Sequence, residues 1–268
     1  MKYGFLGVGN MGSAVARAVT AAVGPGEVLV SSRTPETARK VATELGCGIG
    51  GNAELAARCR YLFLGVKPQV MGGVLAELAP VLADRREPAV LVSMAAGWTL
   101  AQLADAAGGA YPVVRIMPNT PVAVGAGVVL YAVNDMVKPA QEAELTAALS
   151  GAGLLDRLPE DQIDAASAVA GCGPAFVSLF LEAMADGGVA CGLPRAKALA
   201  YAAQTLAGTA ALQQKTGLHP GQVKDSVCSP GGSTIQGVRI LEERGLRGAV
   251  LDAVLTAWGK NAALGQPG

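Results

Sequence analysis

Three glycines near the start of the chain have the spacing of a phosphate-binding turn. Gly7-Val8-Gly9-Asn10-Met11-Gly12 is a G-x-G-x-x-G sequence that follows an apolar segment and opens an Ala/Val-rich one. In such a strand–turn–helix unit, the first glycine permits the tight turn. The second lets backbone approach a pyrophosphate, and the third allows close helix–strand packing. Free N–H groups and the partial positive charge at the helix N-terminus attract the phosphates. These six residues therefore predict a dinucleotide site.

The end of the second predicted strand indicates which dinucleotide binds. NAD-selective sites place an acidic residue there, about 20 residues after the glycines, to bond the ribose 2′-hydroxyl. This chain instead has Ser31-Ser32-Arg33-Thr34 and no acid before Glu36. Hydroxyls and a guanidinium suit a 2′-phosphate, because arginine can pair with it bidentately. Ser32 and Arg33 thus favour NADPH, with NADH still possible. The alternative for Arg33 is a solvated loop charge.

Two later segments are expected to line the same crevice. Val66-Lys67-Pro68 and Ala95-Ala96-Gly97 each follow an apolar, strand-like run. In open α/β sheets, ligands bind outside the carboxyl ends of the strands, so residues that follow different strands meet there. Lys67 has two equal interpretations, namely a contact to phosphate or ribose and a capping lysine at the surface.

A Gly/Pro-rich segment in the second half of the chain suggests an anion site. Ser229-Pro230-Gly231-Gly232-Ser233-Thr234 precedes a helix-like run, so it would offer backbone donors and hydroxyls to a carboxylate. As a bare pattern, it equally fits a capped helix start. His219, the single histidine, precedes Pro220 at another predicted helix start. We expect it to cap or pack there rather than to take part in catalysis.

These segments are positioned by alternating strands and helices up to about residue 155. The buried, strand-like runs are Tyr3–Val8, Val28–Ser32, Tyr61–Val66, Ala89–Met94 and Val113–Met117. The helix-like runs between them are Ala14–Ala22, Pro35–Leu45, Ala53–Arg58, Val70–Leu82 and Leu100–Ala107. Two further edge strands, Val128–Val133 and Leu154–Leu158, are predicted to flank a helix at Pro139–Leu149. Such alternation indicates a Rossmann-type, doubly wound parallel sheet in an α/β fold.

After about residue 160 the pattern is helical throughout and shows no strand candidate. The predicted helices are Ala165–Ala170, Pro174–Ala190, Pro194–Lys215, Gly221–Val227, Thr234–Arg244 and Ala249–Leu264. Pro174 and Pro194 stand at helix starts, where proline is tolerated. We therefore predict a dinucleotide-binding domain over residues 1–159 and an all-helical C-terminal domain over residues 160–268.

Composition narrows the class of protein. Hydrophobic residues make up 51% of the 268 residues and the formal net charge is zero, so neither a nucleic-acid footprint nor a polybasic membrane patch is present. The longest uncharged stretch, Ile116 to Asn134, is interrupted by prolines and glycines and is not a spanning helix. Five scattered cysteines without a Cys-x-x-Cys predict reduced thiols, no metal site and a cytoplasmic location.

The motifs together resemble the Δ1-pyrroline-5-carboxylate reductase family over essentially the whole chain. The most specific segments are His219-Pro220-Gly221-Gln222-Val223-Lys224-Asp225, Ser229-Pro230-Gly231-Gly232-Ser233-Thr234-Ile235, Ala185-Asp186-Gly187-Gly188-Val189 and Gly192-Leu193-Pro194-Arg195. Further segments similar to the family are Val66-Lys67-Pro68, Ala95-Ala96-Gly97 and Met117-Pro118-Asn119-Thr120-Pro121.

The resemblance implies an oxidoreductase that uses NAD(P)H to reduce (S)-1-pyrroline-5-carboxylate to L-proline, the last step of proline biosynthesis. It implies that backbone N–H groups of Gly232 and Ser233 hold the substrate carboxylate and that the Thr234 hydroxyl, the catalytic group, faces the ring nitrogen. The substrate-binding residues would be Ser229, Gly231, Gly232, Ser233 and Thr234. Asn52 and Ser32 would join the cofactor site. The helical domain would dimerise, and dimers could assemble into decamers.

The chain departs from the family at two positions and leaves three alternatives open. Cys172 and Gly217 stand where the family commonly has serine and glutamate, which puts polar side-chain roles there in doubt. An imine reductase for another ring size is one alternative, because one methylene changes selectivity by only about 1–3 kcal/mol. A β-hydroxyacid dehydrogenase would need a lysine acid between Gly171 and Glu182, which is missing. A non-enzymatic NADPH-binding sensor would not need the Ser229–Thr234 loop.

Overall fold

The computed structural model describes residues 1–264, and its chain divides into two compact units. The sheet unit comprises Met1–Cys172 and the chain from Ala257 onward, and the helical unit comprises Gly173–Thr256. The sheet unit reaches beyond residue 159 because the helix Ile163–Ala170 packs against the sheet, with Ile163 fully buried in its core.

The sheet unit is built on eight strands in the order β3-β2-β1-β4-β5-β6-β7-β8. The strands are β1 (Tyr3–Leu6), β2 (Val28–Ser31), β3 (Gly48–Ile49), β4 (Tyr61–Leu64), β5 (Val90–Ser93), β6 (Val113–Pro118), β7 (Gly127–Val133) and β8 (Gly153–Arg157). Neighbouring strands are parallel except β6 and β7, which pair antiparallel. The Rossmann-type α/β fold expected from the strand–helix alternation is confirmed.

Among the described residues, seven α-helices lie wholly within this unit, on the two faces of the sheet. They are α1 (Asn10–Val23), α2 (Pro35–Leu45), α3 (Asn52–Arg58), α4 (Pro68–Ala83), α5 (Leu100–Ala106), α6 (Pro139–Leu149) and α7 (Ile163–Ala170). Successive residues of a strand face opposite sides of a sheet. Accordingly, Phe5 packs in one core with α1, whereas Leu6 packs in the other with α4. Strand β1 is thus buried on both faces, as a central parallel strand must be.

Two local expectations were wrong, and one strand was not predicted. The strands predicted as Tyr3–Val8 and Tyr61–Val66 end at Leu6 and Leu64, since the chain turns at the following glycines. Strand β3 has only two residues and was not predicted. Strand β7, predicted at the edge, lies between β6 and β8, so β3 and β8 are the edges. The hydrophobic pattern of a sequence predicts which segments are buried, but it does not predict the order of the strands in the sheet.

A buried arginine fixes α7 to the sheet. Arg115 on β6 is 3% exposed, and its Nη2 donates to Oδ1 of Asp164 over 2.6 Å. Its Nη1 lies 3.8 Å from Oε1 of Glu160, which in turn accepts from the backbone N–H of Leu100 at 2.7 Å. A buried charge requires such partners. The pairs therefore connect Asp164 of α7, and Glu160 in the turn before it, to β6.

The helical unit contains α8 (Gly173–Ala190), α9 (Arg195–Thr216), α10 (Pro220–Ser226), α11 (Ser233–Glu243) and the first part of α12 (Leu246–Leu264). Within the described residues it has no strand, as expected. Its buried cluster is small and consists of Ala185, Ala198 and Ala202, where α8 meets α9. Small side chains let these two helices approach closely.

One stretch of the described chain, Glu160–Ala190, is long and apolar enough to cross a membrane by length and composition. It is not one continuous helix, because turn residues Gly171 and Cys172 separate α7 from α8. Only 11% of its most apolar window is buried within the single chain. The apolar surface of α8 is thus largely exposed within the single chain.

Candidate active site

Four strands end side by side and bring the predicted cofactor segments together. The registers pair Leu6 with Ser31 and Leu64, and Leu64 with Ser93. Because these strands are parallel, the residues that follow them emerge at one edge of the sheet. The glycine turn, the Ser32–Arg33 segment, Val66–Pro68 and Ala95–Gly97 therefore share the crevice in which open α/β sheets bind ligands.

The glycine turn is shaped by two positions that no side chain could occupy. Gly7 has φ +91°, and a Cβ there would lie 2.8 Å from the carbonyl oxygen of Gly65. A Cβ on Gly12 would lie 2.1 Å from the carbonyl oxygen of Gly7. In contrast, a Cβ on Gly9 would enter open space. Close packing thus explains the outer two glycines, while Gly9 leaves free volume beside the backbone, as a bound pyrophosphate requires.

Helix α1 begins at this turn without a side-chain cap. Its N-cap is Gly9, which forms no side-chain hydrogen bond, and its first turn contains no acidic residue. Asn10 is exposed and Met11 is half-buried, while Val8 is buried beneath them. The first N–H groups of a helix lack intrahelical partners. The start of α1 therefore offers uncompensated donors to an anion.

The end of β2 carries the polar groups expected near the adenosine ribose. Ser32 is half-buried and its Oγ accepts from the backbone N–H of Thr34 at 3.4 Å. Arg33 is exposed and forms no ion pair among residues 1–264, so its guanidinium is available to a phosphate. Asn52, the first residue of α3, accepts a hydrogen bond from the hydroxyl of Ser31 over 2.7 Å.

The two remaining strand-end segments are connected by Trp98. Its Nε1 donates to the carbonyl oxygen of Pro68 at 3.1 Å, which ties the turn after β5 to the start of α4. Ser93 accepts from the backbone N–H of Ala95 at 3.2 Å, and Gly97 has φ +77°. Lys67 is the exposed N-cap residue of α4 and makes no side-chain capping bond. Its ammonium group forms no ion pair or hydrogen bond among residues 1–264 and is available to a ligand.

The second predicted anion site lies within the helical unit. Gly231 has φ +69°, and the N–H of Gly232 donates to the carbonyl oxygen of Ser229 at 3.1 Å, which closes a tight turn. Gly232 is the N-cap of α11 and forms no side-chain hydrogen bond. Ser233 and Thr234, the first two helical residues, are exposed. The turn thus presents two hydroxyls beside backbone N–H groups that no side chain caps.

His219 has the capping role that was expected. Its Nδ1 accepts from the N–H of Gly221 at 3.1 Å, and its own N–H donates to Gln222 at 3.1 Å, which forms a reciprocal capping box at the start of α10. The five cysteines are free thiols. No metal-binding group of His, Cys, Asp or Glu is found among the described residues.

Sequence reasoning missed three residues that support the site. Ser31 holds Asn52, Trp98 ties two loops together, and Asn119 donates from Nδ2 to the carbonyl oxygen of Ala170 at 2.9 Å while accepting from Val128 N–H at 2.8 Å. Ser31 and Asn119 lie within quoted motif segments, and Trp98 directly follows one. Their partners are distant in sequence, so only the fold reveals them.

Similarity to known proteins covers both units. Residues 160–264 match the family described as pyrroline-5-carboxylate reductase dimerisation, and residues 2–97 match the family described as NADP oxidoreductase coenzyme F420-dependent. The pyrroline-5-carboxylate reductase of Escherichia coli K12 is 40% identical over 98% of both chains. The Synechocystis enzyme of the same name is 45% identical over 80% of this chain and 79% of its own.

A solved structure is similar as well. The crystal structure of Plasmodium falciparum pyrroline carboxylate reductase with NADP bound superposes with a TM-score of 0.87. It is 31% identical and covers 99% of this chain and 98% of that one. Both the fold and the sequence agree over nearly the full length.

Proposed function

The chain belongs to the pyrroline-5-carboxylate reductase family, and from this we propose that it reduces (S)-1-pyrroline-5-carboxylate to L-proline with NADPH as electron donor. The observation that carries this proposal is that both glycine-rich turns predicted to bind anions lead into helices whose N-cap is a glycine. Helix α1 begins after Gly9 and α11 begins after Gly232, and neither has a side-chain cap. The substrate and cofactor each carry one anionic group that suits such a start, a carboxylate and a pyrophosphate.

The cofactor is NADP(H), in agreement with the NADP oxidoreductase match and the NADP-bound relative. We propose that the glycine turn holds its pyrophosphate and that Ser32, Arg33 and Asn52 hold the phosphorylated ribose. The open space beside Gly9 and the free guanidinium of Arg33 support this assignment. The residues that would line the rest of the crevice are Val66, Lys67, Pro68, Ala95, Ala96 and Gly97. We expect NADH to be a weaker donor.

We propose that the substrate carboxylate binds the turn from Ser229 to Thr234, with a backbone donor at Ser233 and a contribution from Gly231. The N–H of Gly232, which the resemblance implied as a second donor, instead donates to the carbonyl oxygen of Ser229. When bound, the cofactor supplies a hydride to the ring carbon of the C=N bond. The protein then needs only to orient the ring and to exclude water, because a protonated imine is already an electrophile. The exposed hydroxyl of Thr234 is suited to hydrogen-bond the ring nitrogen, which makes it the catalytic residue of this scheme.

The helical unit is proposed to self-associate. Residues 160–264 match a dimerisation family, and large apolar side chains of this unit are exposed in the single chain. Examples are Leu179 on α8 and Leu251 on α12. We place the functional boundary after residue 159 and assign substrate binding and dimerisation to residues 160–268. A cytoplasmic role in proline biosynthesis, without a nucleic-acid or membrane partner, completes the proposal.

The direct test is oxidation of NADPH, followed by its absorbance, when (S)-1-pyrroline-5-carboxylate is added, with L-proline identified as the product. We expect turnover with this substrate to exceed that with its six-membered homologue, and NADPH to be used better than NADH. Preference for the larger ring would indicate a different imine reductase. Turnover of a β-hydroxyacid alone would indicate a dehydrogenase, although α8 contains no lysine. NADPH binding without turnover would indicate a sensor.

A further inference from the structure

The side chain of Asn52 is held in one orientation by a buried hydroxyl. Ser31 Oγ donates to Asn52 Oδ1 over 2.7 Å, across 21 residues of sequence. The amide nitrogen of Asn52 forms no hydrogen bond among residues 1–264, and it is accessible to solvent rather than buried. The carbonyl end of the amide is therefore occupied, while the donor end faces accessible space.

Ser31 is itself fixed by the sheet. It is 6% exposed, it is the last residue of β2, and its carbonyl oxygen accepts from the N–H of Gly7 at 2.9 Å. One residue thus contacts the glycine turn through its backbone and Asn52 through its side chain. Because Ser31 is held in place by the sheet, its hydroxyl can fix the orientation of the Asn52 amide, which an exposed and mobile serine could not do.

We propose that Ser31 is a positioning residue of the cofactor site, which turns the Asn52 amide so that its N–H groups donate to an oxygen of the adenosine ribose or its 2′-phosphate. The inference rests on the proposed function only in placing the cofactor at this crevice. A Ser31 hydroxyl that donates to Oδ1 leaves Asn52 with donors alone toward the ligand. Ribose hydroxyl and phosphate oxygens are the matching acceptors.

The test is a double-mutant cycle read by equilibrium binding of NADPH, followed through the fluorescence of its nicotinamide. Ser31→Ala should weaken NADPH binding about 10-fold, the value of one well-formed hydrogen bond. Asn52→Ala should do the same. The double variant should bind no more than about two-fold more weakly than Asn52→Ala, because Ser31 acts through Asn52. Ser31→Thr, which keeps a hydroxyl, should bind within about three-fold of wild type.

Thr20→Val provides a matched control. Thr20 on α1 is also a buried hydroxyl, but its Oγ1 has no hydrogen-bond partner within the described residues. Its removal should leave NADPH affinity unchanged. Thermal melting of each variant without cofactor separates a folding defect from a binding defect, so the cycle remains informative even if Ser31→Thr packs poorly.

Two results would overturn the proposal. One is a Ser31→Ala variant that binds NADPH within about two-fold of wild type, whether or not its melting temperature falls. The other is a Ser31→Ala substitution that lowers NADPH affinity by the same factor in wild type and in the Asn52→Ala variant. Ser31 would then act independently of the Asn52 amide. Repetition with NADH assigns the acceptor, since a larger effect on NADPH indicates the phosphate and an equal effect indicates the ribose. If Ser31 and Asn52 prove coupled in NADPH binding but the protein does not reduce pyrroline-5-carboxylate, the proposed reaction is wrong and the positioning role of Ser31 stands.

Discussion

The sheet unit and the helical unit bury their apolar residues to very different degrees. Every residue of β1, β2, β4 and β5 is buried within the single chain. In contrast, α8 buries only Ala185, and α11 buries none of its residues. The composition is apolar in both units, so the difference lies in what covers the apolar side chains.

The sheet unit therefore buries its apolar side chains within one chain, whereas the helical unit leaves many of its own exposed. In the sheet unit, these side chains form two clusters, one on each face of the sheet. An exposed apolar surface such as that of the helical unit is typical of a protein or membrane contact. The match to a dimerisation family favours contact with a second copy of the chain. The sheet unit should therefore respond to substitutions by losing stability, whereas the helical unit should respond by losing association.

The largest expected loss of stability comes from the arginine that fixes α7. Asp164→Ala leaves Arg115 buried with only the 3.8 Å contact to Glu160, which should cost about 4 kcal/mol in free energy of unfolding. Urea unfolding measures this loss, and hydrogen exchange should show that α7 opens first. Arg17→Ala, which breaks an exposed ion pair with Glu44, is the control and should change stability by less than about 1 kcal/mol. Equal losses in both variants would refute the claim that α7 belongs to the sheet unit's core.

A methyl group at Gly12 should be nearly as damaging. The added Cβ meets the Gly7 carbonyl oxygen at 2.1 Å, so backbone must shift and about 3 kcal/mol of stability should be lost, together with NADPH binding. Gly26→Ala places its Cβ in open space and should change neither quantity. Calorimetry and NADPH titration compare the two variants. A fully stable Gly12→Ala protein would contradict the close packing of α1 on the glycine turn.

A charge on the exposed surface of α8 should act on association instead. Leu179 is 67% exposed, and Leu179→Glu should raise the dimer dissociation constant at least about 100-fold, because the partner would have to bury an unpaired charge. Val124 in the sheet unit is 80% exposed, and Val124→Glu should leave the mass unchanged. Sedimentation equilibrium gives both masses. If Leu179→Glu left the dimer intact, α8 would not form the contact.

The smallest effect concerns pH and the end of the sheet opposite the cofactor segments. Burial, followed by a hydrogen bond to Glu144, raises the pKa of Tyr61 above its usual value of 10.0. The raised pKa contributes stability below pH 10 that is lost as pH rises further, because the unfolded chain ionises first. Tyr61→Phe should cost about 1 kcal/mol near neutral pH, and the difference from wild type should shrink above about pH 10. Urea unfolding at both pH values measures it, and a pH-independent difference would contradict this cause.

The pKa of Glu144 provides a second check on the same cluster. Burial alone would raise it, but hydrogen bonds from Tyr61 and Lys2 and the charge of Arg60 outweigh burial and lower it. Its contribution to stability is therefore present above the usual carboxyl pKa and lost as pH falls through the lowered value.

Local features of the fold could be predicted from the sequence, and long-range ones could not. Buried strands such as β1 and β4 are short apolar runs that end at glycine, and helix starts such as those after Gly9 and Gly232 have local signatures. Strand β3 escaped prediction because two residues form no pattern. The antiparallel position of β7 depends on its pairing with β6, which no local run encodes.

The same distinction holds for the candidate site. The glycine turn and the Ser229–Thr234 turn are continuous segments, so composition and order suffice to find them. The bond from Ser31 to Asn52 spans 21 residues, and that from Asn119 to Ala170 spans 51. Such contacts arise only when separate elements pack, and a serine at a strand end has no sequence signal that separates it from its neighbour Ser32.

The most direct test of the central claim, that one unit binds the dinucleotide and the other binds the substrate, is a single variant measured in two ways. For Thr234→Ala, we predict a dissociation constant for NADPH within about two-fold of wild type. We also predict a kcat/KM for pyrroline-5-carboxylate lowered about 30-fold, as the loss of one hydrogen bond to a charged or polar ring nitrogen implies. Thr234→Ser should recover most of this rate. An unchanged kcat/KM, or an equal loss of NADPH affinity, would contradict the account.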